Sequence, residues 1–262
     1  CYKTGEKWNW VWTRDIAYAT ELGLAWLNPQ RAASSLLFKL SELKSGGELQ
    51  IVQDTGTGGS WPISTDRVAW ARGAMAVLRY ADHPELKAAA INAMEQTAKV
   101  DRLYAFDTQD GLYRGETSFL DWREQSYPAW TSDNVVHIGM SKSLSTNVNH
   151  LFMLRSLEEL TGKDHKSDAL AAAIDDAFWD GKTYRSYLTT KLDSSPASQQ
   201  DLLATSLAVL DLGTHPEAMA AYPQGPYGPP VIWPQQQLTP IYHNRAIWPF
   251  VTSYSVLASR AA

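Results

Sequence analysis

The chain has 262 residues, of which 44% are hydrophobic, and it contains one cysteine. This length and apolar content support one large buried core, and a single cysteine excludes an internal disulfide framework. The formal charge is −5 and the basic residues are not clustered, which excludes nucleic acid and acidic membrane surfaces as expected partners. No apolar run approaches the roughly 20 residues that cross a bilayer, so we expect a soluble chain without membrane insertion. Cytoplasmic, periplasmic and extracellular locations all stay open.

Apolar residues recur at helical spacing in successive hairpins. Residues 13–43 predict two helices joined by a tight turn at Asn28 and Pro29, a cap followed by a first-turn proline. A second hairpin has Val68 in its first helix and Pro84 at the start of the partner helix. The sequence therefore begins with two helical hairpins.

Further helices follow in the second half of the chain. One is capped by Thr146, ended by Gly162 and paired with an alanine-rich stretch. The next begins near Gln199 and stops at Gly213, and the last begins near Arg245. Several first helices of these hairpins follow loops rich in Trp, Gly, Asp or Arg, whereas their partners follow short plain turns. We therefore expect the chemistry at one end of the bundle.

This pattern predicts an all-α fold in a single domain over residues 1–262. Helical hairpins bury their faces only by stacking on neighbours, in an open solenoid or in a closed ring. No repeat of fixed length is present, which favours the closed ring.

The densest group of chemically active side chains lies between residues 107 and 145. Asp121, Trp122, Arg123, Glu124 and Gln125 are consecutive there, with Phe119 nearby. Sugar hydroxyls need donors and acceptors, a ring face needs an aromatic platform, and a glycosidic oxygen needs a protonated carboxylic acid. The cluster fits a sugar, and a salt-bridged surface loop is the structural alternative.

Three smaller clusters stand at the starts of predicted helices. The candidate binding residues in them are Trp12, Arg14, Asp15, Trp61, Asp66, Arg67, Tyr242, His243 and Trp248. Asp15 suits a first helical turn but Arg14 does not, so another partner for the arginine is expected. For the cluster at Asp66 and Arg67, an N-cap by Thr65 followed by Asp66 is an equal alternative.

Taken together, these motifs resemble the six-hairpin glycosidases, above all the amylo-α-1,6-glucosidase and processing α-glucosidase branches, with glucoamylases more distant. Trp12 to Asp15 resembles the Trp-Thr-Arg-Asp run of glucoamylases, and Ser118 to Asp121 resembles the Thr-Trp-Met-Asp motif of the debranching type. Tyr242 to Pro249 is similar to the Tyr-His-Asn-Gly-x-x-Trp-Pro run. Phe119 replaces the motif tryptophan, and Arg245 replaces the motif glycine.

The resemblance implies an (α/α)6 toroid and an exo-acting hydrolase of α-linked sugars that inverts the anomeric centre. Asp121 would be the general acid, and Arg14 and Asp15 would hold hydroxyls of the terminal sugar. Glu124 is the local candidate for the second carboxylate. The family's general base follows the Tyr-His-Asn run by some tens of residues, so we expect it, and the last helices of the barrel, to lie outside this chain.

Two other functions stay open. A glycan-binding protein of the same fold would keep the pocket aromatics without a working base, and a base encoded beyond residue 262 would argue against it. A helical lyase or isomerase would use a basic centre at Tyr242, His243 and Arg245. We expect no metal or cofactor, because the six histidines show no ligand-like spacing. The expected partner is an oligosaccharide or glycoside, and the oligomeric state stays open.

Overall fold

A computed structural model describes residues 1–7, 9–42, 48–52, 65–117, 135–188, 190, 199–235 and 241–262. Helices predominate in these ranges and strands are short, which confirms the all-α class. The residues form two compact units. Unit 1 consists of Cys1–Phe106 and Asn149–Ser167, and unit 2 consists of Asp107–Val148 and Asp168–Ala262. The expectation of a single domain stays a prediction.

The described helices cover both units. In chain order they are α1 Thr13–Ala19, a π-helical segment Thr20–Leu24, α2 Ala25–Leu27, α3 Pro29–Leu37, a 3-10 turn Thr65–Ala69, α4 Trp70–Tyr80, α5 Pro84–Tyr104, α6 Val135–Met140, α7 Leu144–Thr161, α8 Ser167–Phe178, α9 Leu202–Leu212, α10 Glu217–Ala221, α11 Ile241–Arg245 and α12 Pro249–Ala261.

Each described strand is two residues long. They are β1 Leu40–Ser41, β2 Gln50–Ile51, β3 Phe106–Asp107, β4 Leu112–Tyr113, β5 Lys142–Ser143, β6 Tyr187–Leu188, β7 Gln200–Asp201 and β8 Ile232–Trp233. They form four two-stranded sheets, β1–β2, β3–β4, β5–β6 and β7–β8. Strand β7 runs antiparallel to β8, with Gln200 opposite Trp233 and Asp201 opposite Ile232.

Side-chain caps and special backbone angles fix several helix ends where the sequence predicts them. The Asn28 side chain accepts a hydrogen bond from the Arg31 amide, with Pro29 in the first turn of α3. His83 caps α5 in the same way, ahead of Pro84. Gly213 ends α9 with a φ of 72°, an angle that glycine adopts without steric cost.

The last predicted helix begins later than the sequence indicates. It was expected near Arg245, but a short helix α11 ends there and α12 begins at Pro249. Trp248 is extended, with a φ of −108° and a ψ of 121°, because the residue before a proline is restricted to extended angles. The Trp-Pro pair therefore separates two helices.

Unit 1 has its core where α1, α3, α4 and α5 pack together. Ala17, Leu36 and Trp70 are fully buried there. A Cβ atom on Gly73 would lie 3.1 Å from the Cα of Ala17 and 3.0 Å from a methyl carbon of Leu36. The absence of a side chain at residue 73 therefore permits the close approach of α4 to α1 and α3.

Unit 2 has its most extensive helix contact between α9 and α12. Leu203 and Leu207 of α9 and Val251 and Tyr254 of α12 are buried. The side chain of Asn147 fixes strand β4 to the start of α7. Its Oδ1 accepts from the backbone N–H of Tyr113 at 2.7 Å, and its Nδ2 donates to the Tyr113 carbonyl at 3.0 Å. Two-way hydrogen bonding of this kind satisfies backbone groups that a loop would otherwise leave unpaired.

Candidate functional site

The start of α1 in unit 1 carries three of the predicted binding residues. Trp12 is the N-cap residue, extended and half-buried, and its carbonyl accepts from the Ile16 amide at 3.0 Å. Arg14 is 8% exposed, and its Nη2 lies 3.6 Å from Oδ2 of Asp15, whose side chain is 34% exposed. The structure therefore brings a tryptophan, a cation and a carboxylate together at one helix start.

A small cleft opens beside this helix start. Its volume is about 100 Å³, and Trp12, Asp15 and Thr4 are among the residues that line it. Ligand pockets usually measure roughly 300–1,000 Å³, so this cleft alone can hold only part of a ligand. A larger cleft of about 540 Å³ lies at the far end of α4, around Tyr80 and His83, and no predicted site residue lines it.

Arg67 lies in the interior of unit 1. Its side chain is 1% exposed, its Nε donates to the Ile51 carbonyl at 3.1 Å, and its Nη2 pairs with the Asp101 carboxylate. The other carboxylate oxygen of Asp101 lies 3.1 Å from Nε2 of His150, which is also fully buried. Burial alone would raise the pKa of Asp101, but Arg67 and His150 outweigh it and hold the pKa below its usual value.

This buried trio connects to the start of α1 through strand β2. Arg67 holds the Ile51 carbonyl, while the Ile51 amide donates to the Thr97 hydroxyl at 3.0 Å. The next carbonyl, that of Val52, accepts from the hydroxyl of Thr13, the first residue of α1. The interior of unit 1 thus fixes the backbone beside Arg14 and Asp15.

A second buried polar group in unit 1 surrounds Arg72. Its Nε donates to the Asn149 side chain at 2.6 Å, and Asn149 donates to the Tyr18 hydroxyl at 2.9 Å. The guanidinium also lies over the Phe152 ring, 4.3 Å from its centre. Glu21 approaches the same guanidinium at 3.7 Å. The arrangement joins α1, α4 and α7 by polar contacts as well as by apolar packing.

Tyr242 and Trp248 lie close together in unit 2. Their rings meet edge to face, with centres 5.0 Å apart and planes at 75°. The indole N–H of Trp248 donates to the Tyr242 carbonyl at 3.4 Å. Tyr242 is 42% exposed and Trp248 is half-buried, so both present ring surface to solvent. The neighbouring strand β8, which contacts α11, adds the 40% exposed Trp233.

The chain that leads towards the Asp121 motif is firmly anchored in unit 2. The Glu116 carbonyl accepts from the hydroxyls of Ser143, at 3.0 Å, and Thr146, at 2.6 Å. Earlier in the same segment, Asp107 pairs with Lys142 at 2.8 Å and with Arg114 at 2.7 Å. The hydrogen bond from Lys142 is the main reason that the pKa of Asp107 falls to about 2.

Asp201, at the start of α9, is a fully buried carboxyl group. One of its oxygens caps the helix by accepting from the Ala204 amide at 3.1 Å. Burial raises its pKa to about 7, and the backbone hydrogen bonds to the carboxyl offset only part of that rise. Burial raises the pKa of Tyr222 well above its usual value, and the charge of Asp201 raises it further.

Several predicted site residues fall outside what the structure describes. Trp61, Asp121, Trp122, Arg123, Glu124 and Gln125 lie outside the described residues. Asp66 lies in the 3-10 turn and His243 in α11, and the structure describes their backbones alone. Their predicted roles stay predictions.

The described residues contain no group of three or more His, Cys, Asp or Glu side chains that could hold a metal ion. Within the same ranges, no helix is both long and apolar enough to span a bilayer.

Asp101, His150 and Asp201 were not identified from the sequence. A signal for Asp101 exists, because Thr97 and Asp101 are four residues apart and both lie on the buried face of α5. Polar residues on an apolar helix face need buried partners, which Arg67 and His150 supply here. For Asp201, the only signal is its position before an apolar helix, which predicts a cap and nothing more.

Comparison with known proteins adds no identification. No family model matches the chain, and no curated protein matches it.

Proposed function

We propose that this chain is a glycoside hydrolase that removes terminal α-linked sugars with inversion, built on an (α/α)6 toroid. The observation that carries the proposal is the start of α1, where Trp12, Arg14 and Asp15 meet beside a small cleft. A nucleophile–base pair or a metal cluster would indicate another class of reaction. An aromatic ring beside a paired cation and carboxylate suits a neutral ligand with hydroxyl groups.

Arg14 is poorly explained by helix stability alone. A cation in the first turn opposes the positive end of the helix dipole, which stabilises anions such as Asp15 instead. The Arg14 side chain is 10% exposed, and its Nη2 lies 3.6 Å from Oδ2 of Asp15. In this proposal Arg14 binds hydroxyl groups of the terminal sugar.

Asp121 is the proposed general acid, and Glu124 is the local candidate for the second carboxylate. Inverting hydrolases place two carboxyl groups roughly 6.5–9.5 Å apart, one to protonate the leaving oxygen and one to activate water. Five residues before Asp121 in sequence, the Glu116 carbonyl accepts from the Ser143 and Thr146 hydroxyls, which fixes that part of the chain to the start of α7.

The flanking residues have subsidiary roles in the proposal. Trp122 and Phe119 would raise the pKa of Asp121 by desolvation, as a general acid requires near neutrality. Arg123 and Gln125 would hydrogen-bond sugar hydroxyls.

The aromatic residues of unit 2 have a proposed role of their own, as a surface on which a sugar ring stacks. Tyr242 and Trp248 present perpendicular rings to solvent, and aromatic faces stack on the apolar faces of sugar rings. His243, between them in sequence, would donate to a hydroxyl. Trp61 and Asp66 in unit 1 are also proposed to bind sugar.

The role proposed for Arg67 is indirect. Its guanidinium is 1% exposed and is occupied by Asp101 and the Ile51 carbonyl. These contacts support a positioning residue that fixes the backbone beside Arg14 rather than a group that touches sugar.

Hydrolysis of a panel of aryl α- and β-glycosides by the full-length gene product and by its Asp121→Asn variant tests the proposal. We expect one α-glycoside to be cleaved and kcat to fall by at least about 100-fold in the variant, the typical contribution of a general acid. Asp176→Asn, an exposed carboxylate on α8, is the matched control and should keep full activity. Equal activity of Asp121→Asn and the parent would refute the assignment of the acid. Binding of glycosides without cleavage would favour a glycan-binding protein.

A further inference from the structure

A cleft of about 540 Å³ lies in unit 1, where the end of α4, the start of α5 and the end of α7 come together. Ligand pockets usually measure roughly 300–1,000 Å³, so this cleft is large enough to hold a whole small molecule. None of the residues that line it belongs to the proposed hydrolase site. The cleft therefore needs an explanation of its own.

Four charged side chains line the cleft, two of each sign. Arg79 and Lys87 are cations, Asp82 and Glu159 are carboxylates, and all of them are exposed. Within the part of the chain that the structure describes, these four side chains form no ion pair and no hydrogen bond. Each of them can therefore bond to a ligand without first giving up a partner in the protein.

Apolar side chains also line the cleft. Met75 is 7% exposed, and Leu78 and Leu160 are half-buried. They are less exposed than the four charged side chains, so a ligand that enters meets apolar surface inside and charge at the rim. Removing apolar surface from water favours a ligand that carries an apolar group as well as polar ones.

Two helix ends meet beside the cleft and carry partial charges of both signs. Helix α4 ends at Tyr80 with free carbonyl groups, a negative pole, and α5 begins at Pro84 with free amide groups, a positive pole. The Nδ1 atom of His83 accepts from the Leu86 amide at 3.2 Å, which leaves the N–H on Nε2 as a further donor. The backbone thus repeats the two signs of the side chains.

We propose that this cleft binds a small zwitterion with an apolar side chain, an α-amino acid or a short apolar peptide. The ligand carboxylate pairs with Arg79 and Lys87, because a guanidinium presents a planar fork that matches a carboxylate. The ligand ammonium pairs with Asp82 and Glu159. Binding of a zwitterion here is separate from the hydrolase function and does not rest on it.

Other classes of ligand fit the lining less well. A simple anion would leave both carboxylates unpaired and be repelled by them, and a simple cation would do the same with Arg79 and Lys87. A neutral sugar would form only singly charge-assisted hydrogen bonds, whereas a zwitterion brings an opposite charge to each group. At the start of α1, by contrast, Arg14 and Asp15 already neutralise each other.

Isothermal titration of the full chain tests which charges the ligand needs. The probes are L-leucine and the dipeptide leucyl-leucine, each compared with its N-acetylated form, which lacks the ammonium, and its amidated form, which lacks the carboxylate. We expect at least one of the two zwitterions to bind, and its acetylated and amidated forms to bind with Kd about tenfold or more higher. Whichever zwitterion binds more tightly separates a free amino acid from a peptide as the ligand.

Two substitutions connect this binding to the cleft. Lys87→Gln and Glu159→Gln each remove one charge from an exposed side chain, so the fold should be kept and the melting temperature should change little. We expect each to raise Kd about fivefold or more. Lys99→Gln is the matched control, because Lys99 is also exposed on α5 but does not line the cleft, and its Kd should change by less than about twofold.

Three results would overturn the site: no binding of either zwitterion, equal Kd for a zwitterion and its acetylated or amidated form, or unchanged Kd in both cleft variants. Tighter binding of methyl α-glucoside than of both zwitterions would also overturn it, in favour of a sugar site. Asp121→Asn should bind the zwitterion as the parent does. Failure of the hydrolase and failure of this site are therefore separate results.

Discussion

Asp101 pairs with both Arg67 and His150 in the interior of unit 1, where none of the three side chains is more than 1% exposed. Charges of this kind are costly to bury, so they persist only where each has a well-placed partner. The trio matters for the proposed site because Arg67 also holds the Ile51 carbonyl, next to the residue that anchors the first turn of α1.

Asp101→Asn should destabilise the protein by about 3–5 kcal/mol, because it leaves the buried Arg67 guanidinium without a counter-charge. Urea unfolding at neutral pH measures the loss. The exposed Asp176→Asn serves as the control and should stay within about 0.5 kcal/mol of the parent. A similarly small effect of Asp101→Asn would show that the ion pair contributes nothing to stability.

The lowered pKa of Asp101 also gives a pH dependence with a defined sign. The unfolded carboxyl group titrates near pH ~3.9, so its contribution is complete above that pH and is lost as the pH falls towards the lower folded value. We expect the parent to lose stability in acid more steeply than Asp101→Asn does. Parallel acid-unfolding curves for the two proteins would contradict this expectation.

Asp201 should have the opposite pH dependence. Its folded pKa of about 7 lies above its unfolded value, so its contribution is complete in acid and is lost as the pH rises to about 7. Asp201→Asn, which keeps the cap but does not titrate, should therefore gain stability relative to the parent between about pH 4 and 7. Thermal melts across this range measure the difference, and a constant difference would be inconsistent with a raised pKa.

The packing of α4 against α1 and α3 depends on a single glycine. A methyl group on Gly73 would meet the backbone of Ala17, which cannot move without shifting α1. Gly73→Ala should cost about 1–3 kcal/mol by overpacking, although alanine favours a helix more than glycine does. Ala88→Gly, on the exposed face of α5, gives the reference for the propensity effect. A stabilising Gly73→Ala substitution would show that the helices separate freely.

Helix existence was predictable because apolar spacing, proline at first turns and glycine at ends are local signals. The starts of α3 and α5 were predicted from Asn28 with Pro29 and from Pro84, and the end of α9 was predicted from Gly213. The break between α11 and α12 was missed because a helical apolar pattern continues through Trp248 and Pro249. There the restriction that proline places on its neighbour outweighs the periodicity.

At the scale of the whole molecule, the sequence predicted an all-α chain, and the structure confirms it for the described residues. The sequence predicted helix starts near residue 13 and near Gln199, but it did not predict the buried partners of the residues there. Arg67 meets Asp101 across 34 residues, and Arg72 meets Asn149 across 77. Such pairs depend on tertiary packing, which local propensity does not encode.

The stereochemistry of the product tests the central claim most directly. Proton NMR during cleavage of the α-glycoside selected from the aryl panel reports the first anomer formed. Attack by water from the face opposite the leaving group predicts that the β-anomer appears first and then equilibrates. Initial release of the α-anomer, or the absence of hydrolysis of every glycoside tested, would contradict an inverting glycoside hydrolase.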